Sequence, residues 1–154
     1  MAPSIERLRD LPVEGLGALL AESEEAGSRF VRRLVEEWAS GANQFDRPGE
    51  VLFGARIGGR LVGVCGLNVD PYAADERVGR VRHLYVLSAF RRLGVGRCLV
   101  AEVIEAARGQ FDDLRLRTEN PAAAEFYETL GFRPSKGTAH CTHVMKLGSR
   151  RADR

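Results

Sequence analysis

The stretch that decides the fold runs from Arg80 to Ala107 and reads RVRHLYVLSAFRRLGVGRCLVAEVIEAA. It begins as a strand. Val81, His83 and Tyr85 alternate with Arg80, Arg82, Leu84 and Val86, and β-branched and aromatic side chains suit a pleated surface. It ends as a helix, with Leu99, Val100, Val103, Ile104 and Ala107 at helical spacing and Glu102, Glu105 and Arg108 on the other side. Between them lies Arg91-Arg92-Leu93-Gly94-Val95-Gly96-Arg97. A basic, glycine-punctuated loop at a helix N-terminus offers free N–H groups, the positive end of a helix dipole and fixed charge, so a phosphate-bearing ligand is expected there.

Downstream, Gly109 ends the helix and Leu114 to Thr118 alternates as another strand. A right-handed β-α-β crossover makes this strand parallel to the first. Asn120-Pro121 opens a further helix, with Asn as cap and Pro at the first helical position. Ala123, Phe126, Tyr127 and Leu130 form its buried stripe and Gly131 its C-terminal cap. Phe132 to Pro134 and Thr142 to Leu147 read as closing strands.

Upstream, Val51–Ile57 and Arg60–Val69 form a hairpin across Gly58-Gly59, and with the deciding strand they make an antiparallel meander. Ser4–Arg9 reads as a short edge strand. Pro12 leads into a helix carrying Val13, Leu16, Leu19 and Leu20. A second helix, with Ser28 as its N-cap, carries Phe30, Val31, Leu34, Val35 and Trp38. Glu22, Glu24 and Glu25 read as a solvated helix face. The expected architecture is α+β: a mixed, mostly antiparallel sheet of six to seven strands flanked by about four helices.

At 154 residues and 44% hydrophobic composition, residues 1–148 read as one domain, followed by a basic, disordered tail over 149–154. A net charge of +2 argues against nucleic acid. Cys65, Cys98 and Cys141 show no paired spacing and the three histidines are scattered, so neither a disulfide framework nor a metal site is expected. With no signal-like or spanning apolar run, a cytoplasmic protein without a membrane partner is expected.

The loop is not a P-loop, because Arg97-Cys98 stands where Lys-Ser/Thr is required. Nor is it a dinucleotide fingerprint, because Leu99 occupies the place of the third glycine. Gly94 and Gly96 alone would also suit a simple strand-to-helix turn.

At these residues the chain resembles the GCN5-related N-acetyltransferase (GNAT) superfamily. Arg91-Arg92-Leu93-Gly94-Val95-Gly96 fits the family's Gln/Arg-x-x-Gly-x-Gly/Ala signature, with Val86 five residues ahead of it. Asn120 to Phe132, NPAAAEFYETLGF, is similar to the family's Asn-x-x-Ala-x-x-Phe/Leu-Tyr…Leu-Gly-Phe helix. The resemblance implies acetyl-coenzyme A as cofactor and a sheet that splays at its parallel pair. Backbone N–H groups of Arg92, Gly94, Val95, Gly96 and Arg97, in the loop opened by Arg91, would cradle the pyrophosphate. Strand backbone at Leu84, Tyr85 and Val86, together with Asn120, would hold the pantetheine arm. A backbone N–H near Leu84 would stabilise the oxyanion, worth roughly 3 kcal/mol. Tyr127, a phenol with a reference pKa near ~10, would protonate the leaving thiolate. Asn120 is equally explained as a cap and Tyr127 as one more core aromatic.

Many family members carry a general-base Glu where this chain has Arg80. Strand parity places Arg80, Arg82 and Leu84 on one face. Three proton acceptors stay open: water leading to Asp70, His83 if parity breaks locally, or none, with the amine arriving neutral. Arg80 and Arg82 would bind a carboxylate or phosphate on the acceptor, or else pair with Asp75, Glu76 or Glu119. The expected activity is transfer of acetyl to a small-molecule primary amine by direct attack in a ternary complex. A non-catalytic acyl-coenzyme A sensor, or an enzyme acting on a protein N-terminus or lysine, are the alternatives. The acceptor, acyl groups larger than acetyl and a homodimer stay open.

Overall fold

A computed structural model describes residues 2–11 and 13–148. Pro12, the side chain of Val13 and the tail from Ser149 lie outside the described residues. The elements are β1 (Ser4–Arg7), α1 (Val13–Glu25), α2 (Phe30–Ser40), β2 (Val51–Ile57), β3 (Arg60–Val69), β4 (Val78–Val86), α3 (Val95–Ala107), β5 (Asp113–Leu116), α4 (Pro121–Thr129), β6 (Arg133–Pro134) and β7 (His143–Lys146). A 3₁₀ turn, Ser88–Phe90, follows β4.

The strands form one seven-stranded sheet in the order β1-β2-β3-β4-β5-β7-β6. Its only parallel pair is β4–β5, as the crossover rule requires; the other pairings are antiparallel. The β2–β3 turn uses Gly58 and Gly59 at φ 59° and 82°, the doubly positive turn that matches strand twist. Helices cover both faces. Tyr85 reaches α1 through its hydroxyl, while Val86 meets the start of α3, so neighbouring β4 residues point to opposite layers. The buried face of α3 is Val95, Leu99, Val100, Val103 and Ala107, pressed on the sheet. Asn120 caps α4, its Oδ1 accepting from Ala122 N at 2.8 Å and Ala123 N at 3.1 Å, with Pro121 in the first turn.

Two local expectations are corrected. Arg29, not Ser28, occupies the cap position of α2, and the Ser28 Oγ accepts from Phe30 N at 3.3 Å. The alternation along β4 breaks at His83. The β3–β4 register passes from Val64↔Tyr85 to Gly66↔Arg82, so β4 carries one extra residue there. His83 takes φ 63° to accommodate it. Arg82 and His83, adjacent in sequence, consequently both approach Glu37 of α2.

Candidate active site

The β4–β5 ladder is short. Only Val78↔Asp113, Gly79↔Leu114 and Arg80↔Arg115 pair, after which β5 turns toward β7 and the Leu116 carbonyl accepts from Thr142 N at 2.9 Å. The edge of β4 from Val81 onward is left without a strand partner on that side. A cleft of about 950 Å³ opens there. Its walls are Arg80 to Leu84 on one side and Leu116 to Asn120 with α4 on the other; Gly27 to Phe30, Arg33, Tyr72 and His140 border it.

The Arg91–Arg97 loop stands at the C-terminal end of β4, and Phe126 joins it to the cleft. That ring lines the cleft and lies 3.5 Å from where a Cβ on Gly96 would sit. Arg92 and Gly94 both take left-handed conformations, φ 69° and 83°, and Gly94 begins α3 without any side-chain cap. The first-turn N–H groups of α3 therefore have no intrahelical acceptor, and the αR/αL alternation turns successive N–H groups toward one point. Arg92 and Arg97 are exposed and unpaired among the described residues. This cradle fits a pyrophosphate.

Arg91 behaves differently from its neighbours. Its Nε donates to the Val86 carbonyl at 2.9 Å, its guanidinium lies 5.2 Å from the centre of the Tyr85 ring, and Nη2 is 3.9 Å from Glu22. It shapes the loop rather than offering its charge outward. Tyr85 points away from the cleft into α1, donating its hydroxyl to Glu22 Oε2 at 2.6 Å; burial first and that carboxylate second push the phenol up to about 12. Only the backbone of Leu84, Tyr85 and Val86 remains for a ligand.

Tyr127 is buried beside Phe126 and Phe132 and lines the cleft. Burial raises its pKa strongly, so the phenol stays protonated. Among the described residues nothing hydrogen bonds its hydroxyl. Asn120 uses Oδ1 for the cap and keeps its Nδ2 donors for the cleft.

The acceptor end is cationic. Arg29, Arg33, Arg80, Arg82 and Arg117 line it, whereas the single acidic lining residue, Glu119, is held by Arg117 at 2.9 Å. Arg80 is buried against Asp70 (Nη1–Oδ2 3.6 Å) and stacks over Tyr72 at 4.9 Å, and Tyr72 in turn stacks on His140 at 4.2 Å. Arg82 faces Glu37 at 3.5 Å. Neither arginine pairs with Asp75, Glu76 or Glu119. His83 is buried with its ring edge-on to Phe45, and Nε2 stops 3.8 Å from Glu37 Oε1. Burial, then Arg82 and Arg33, push its pKa down to about 3, so the ring is neutral at physiological pH and the contact is no ion pair.

Reading α1 as a solvated acidic face holds for Glu24, which pairs with Arg32 at 2.7 Å in the open, and fails for Glu22. The missed signal is helical spacing. Glu22 follows fully buried Leu19 by three residues, as Glu37 follows fully buried Leu34, so each borders its helix's buried stripe. The thiols of Cys65 and Cys141 are buried and that of Cys98 half-buried; burial pushes Cys65 up to about 12.

Residues 15–132 match the model of the Acetyltransferase (GNAT) family. N-alpha-acetyltransferase RimI of Mycobacterium tuberculosis (strain ATCC 25618 / H37Rv) is 38% identical over 87 residues, 52% of this chain and 50% of that protein. The alignment thus spans about half the length of that curated relative. A structure from Exiguobacterium sp. 255-15 assigned as an acetyltransferase superposes with a TM-score of 0.85 at 31% identity, covering 95% of this chain and 94% of that one. N-acetylglutamate synthase from Neisseria gonorrhoeae, complexed with coenzyme A and N-acetyl-glutamate, shares the fold at a TM-score of 0.70 and 20% identity over 96% of this chain and 35% of that one. The splayed parallel pair, the uncapped glycine loop and these matches agree: the chain belongs to the GNAT family of acetyltransferases.

Proposed function

We propose that the chain is an N-acetyltransferase that moves acetyl from acetyl-coenzyme A to a primary amine by direct attack in a ternary complex. The observation that carries this reading is the ladder ending at Arg80↔Arg115, which frees the β4 edge in line with the uncapped α3 loop. The coenzyme supplies an activated thioester acetyl group. The loop from Arg92 to Arg97 holds its phosphates. The β4 edge and Asn120 Nδ2 receive its amide-bearing arm, a backbone N–H near Leu84 polarises the carbonyl, and Tyr127 delivers a proton to the departing sulfur.

No protein base is required. The acids nearest the cleft, Asp70 and Glu37, sit behind Arg80 and Arg82, and neutral His83 resists protonation. Surrounding guanidinium groups disfavour an ammonium ion, so the acceptor amine is held in its neutral, nucleophilic form. The same field favours an acceptor carrying a carboxylate or phosphate. Arg33 is the best placed to meet it, because Arg80 and Arg82 already face acids while Arg33 is unpaired among the described residues. A small amine of this kind is the first reading. A polypeptide N-terminus is the second, favoured by the RimI similarity and by exposed Phe30 and Tyr72 at the cleft.

Thiol release from acetyl-coenzyme A across simple amines, carboxylated amines and short peptides tests this. Release is expected, with Arg33→Ala raising KM for carboxylated acceptors several-fold more than for simple ones. Coenzyme A binding without release for any amine would establish the sensor reading instead.

A further inference from the structure

We propose that Glu22, far from the reacting atoms, is the positioning residue of the phosphate loop. The inference rests on the coenzyme A reading above. Glu22 stands near the C-terminal end of α1, and its carboxylate gathers the junction where β4 gives way to the loop. Oε2 accepts from the Tyr85 hydroxyl at 2.6 Å and from Ser88 N at 2.9 Å, while Oε1 accepts from Ser88 Oγ at 3.0 Å. Arg91 Nη2 lies 3.9 Å away, and the same guanidinium closes the set by donating from Nε to the Val86 carbonyl. Three donors separated by 63 and 66 residues of chain from Glu22 thus converge on one side chain.

The loop needs such an anchor. The last sheet bond before it is Leu87 N to the Val62 carbonyl at 2.8 Å, followed only by the bonds of the 3₁₀ turn. After Arg91 the chain turns through left-handed Arg92, a conformation unfavourable for a residue with a Cβ, and then Gly94. Its N–H groups serve a ligand because they make no bonds of their own, so they add nothing to the loop's rigidity. On one side α3 holds the loop. On the other side Glu22 does, by fixing Ser88 through both main chain and hydroxyl.

Only a carboxylate fits the task. Three donors converge, a carboxylate offers about four acceptor sites, and a glutamine would turn an NH₂ toward at least one donor. Glu22→Gln is close to isosteric and should leave the fold intact while loosening the loop.

The test separates loop from fold by the length of the ligand. Coenzyme A carries the pyrophosphate; pantetheine lacks it and reaches only the β4 edge and Asn120. By calorimetry, Glu22→Gln should weaken coenzyme A about tenfold, equivalent to about 1.4 kcal/mol, and pantetheine by less than twofold. In steady state KM for acetyl-coenzyme A should rise in the same proportion, with KM for S-acetylpantetheine and kcat unchanged. Tyr85→Phe, which leaves both Ser88 bonds, should shift coenzyme A affinity in the same direction by a smaller factor. Equal weakening of both ligands would mean general loosening of α1 and overturn the proposal, as would unchanged coenzyme A affinity in both variants. Failure of the wild-type chain to bind coenzyme A at all would instead overturn the functional reading and this inference with it.

Discussion

Gly94 and Gly96 stand two residues apart in one motif, yet the structure demands glycine at only one of them. Gly94 holds φ 83°, and a Cβ added there meets nothing within 4 Å, so alanine would suffer only the conformational penalty. That penalty is about 1–2 kcal/mol for an L-residue in the left-handed region. Gly96 has no such φ, and its added Cβ would lie 3.5 Å from Phe126 and 3.9 Å from Val86, ordinary contacts directed into the protein and away from the anion cradle. Alanine there gains up to about 1 kcal/mol of helix propensity. The thermal midpoint of the coenzyme A-saturated protein reads the whole penalty. Gly94→Ala should lower it by about 2–8 °C for a chain of this size. If the free loop relaxes out of the left-handed conformation, the unliganded midpoint stays unchanged and the loss appears as a roughly 5- to 30-fold weaker Kd. Gly96→Ala should match or exceed wild type in both. Equal loss of affinity in the two variants would refute the reasoning, because close ligand approach at position 96 would then be the requirement.

Tyr127→Phe should lower kcat at least ~100-fold with KM values little changed; its melting temperature should stay at the wild-type value, since no described residue hydrogen bonds the hydroxyl, and a kcat within threefold of wild type would reduce Tyr127 to packing. Arg80→Ala strands buried Asp70 without its counter-charge and should cost about 3–5 kcal/mol in urea unfolding; adding Asp70→Asn should recover part of the loss, and a wild-type midpoint for the single variant would contradict the buried pair. His83 titrates near 3 when folded against 6.5 when unfolded, so the unfolded state binds more protons between those values; its contribution is complete above pH 6.5 and drains away as pH falls toward 3. Denaturation from pH 7 to pH 4 should show a shallower decline in His83→Gln than in wild type.

The deciding stretch was legible because local rules govern it. Alternation marks β4, a 3.6-residue period marks α3, and the Asn120-Pro121 cap and Gly58-Gly59 turn are chemical requirements visible in a few residues. Parity from Arg80 to Leu84 was misread because the bulge at His83 has no compositional mark: histidine tolerates a left-handed conformation better than most side chains, yet nothing nearby announces it. Pairings across long separations were equally hidden. Asp70 with Arg80, Glu37 with Arg82 and Glu22 with Tyr85 depend on register and helix rotation, which composition leaves free. The acids expected to pair with the arginines were the ones near in sequence or on the surface, whereas the buried ones took the role.

The bulge and the broken ladder together narrow the ligand beyond "some phosphate". A strand edge without a partner leaves main-chain donors and acceptors to be satisfied by water or by another extended, amide-bearing chain. An uncapped helix end leaves donors to be satisfied by an anion. In this protein the two lie end to end along β4 and α3, with Phe126 at their junction, so a single ligand serving both must be an anion at one end and a peptide-like arm at the other. Pantetheine joined to pyrophosphate has that order. The bulge then ends the usable edge at Arg82 and His83 and turns both toward Glu37, so the arm's far end emerges among guanidinium groups whose acids lie behind them. That polarity gives the cleft its direction: phosphate toward α3, and the acceptor amine entering from the side of Arg33, where positive charge keeps it neutral until it attacks.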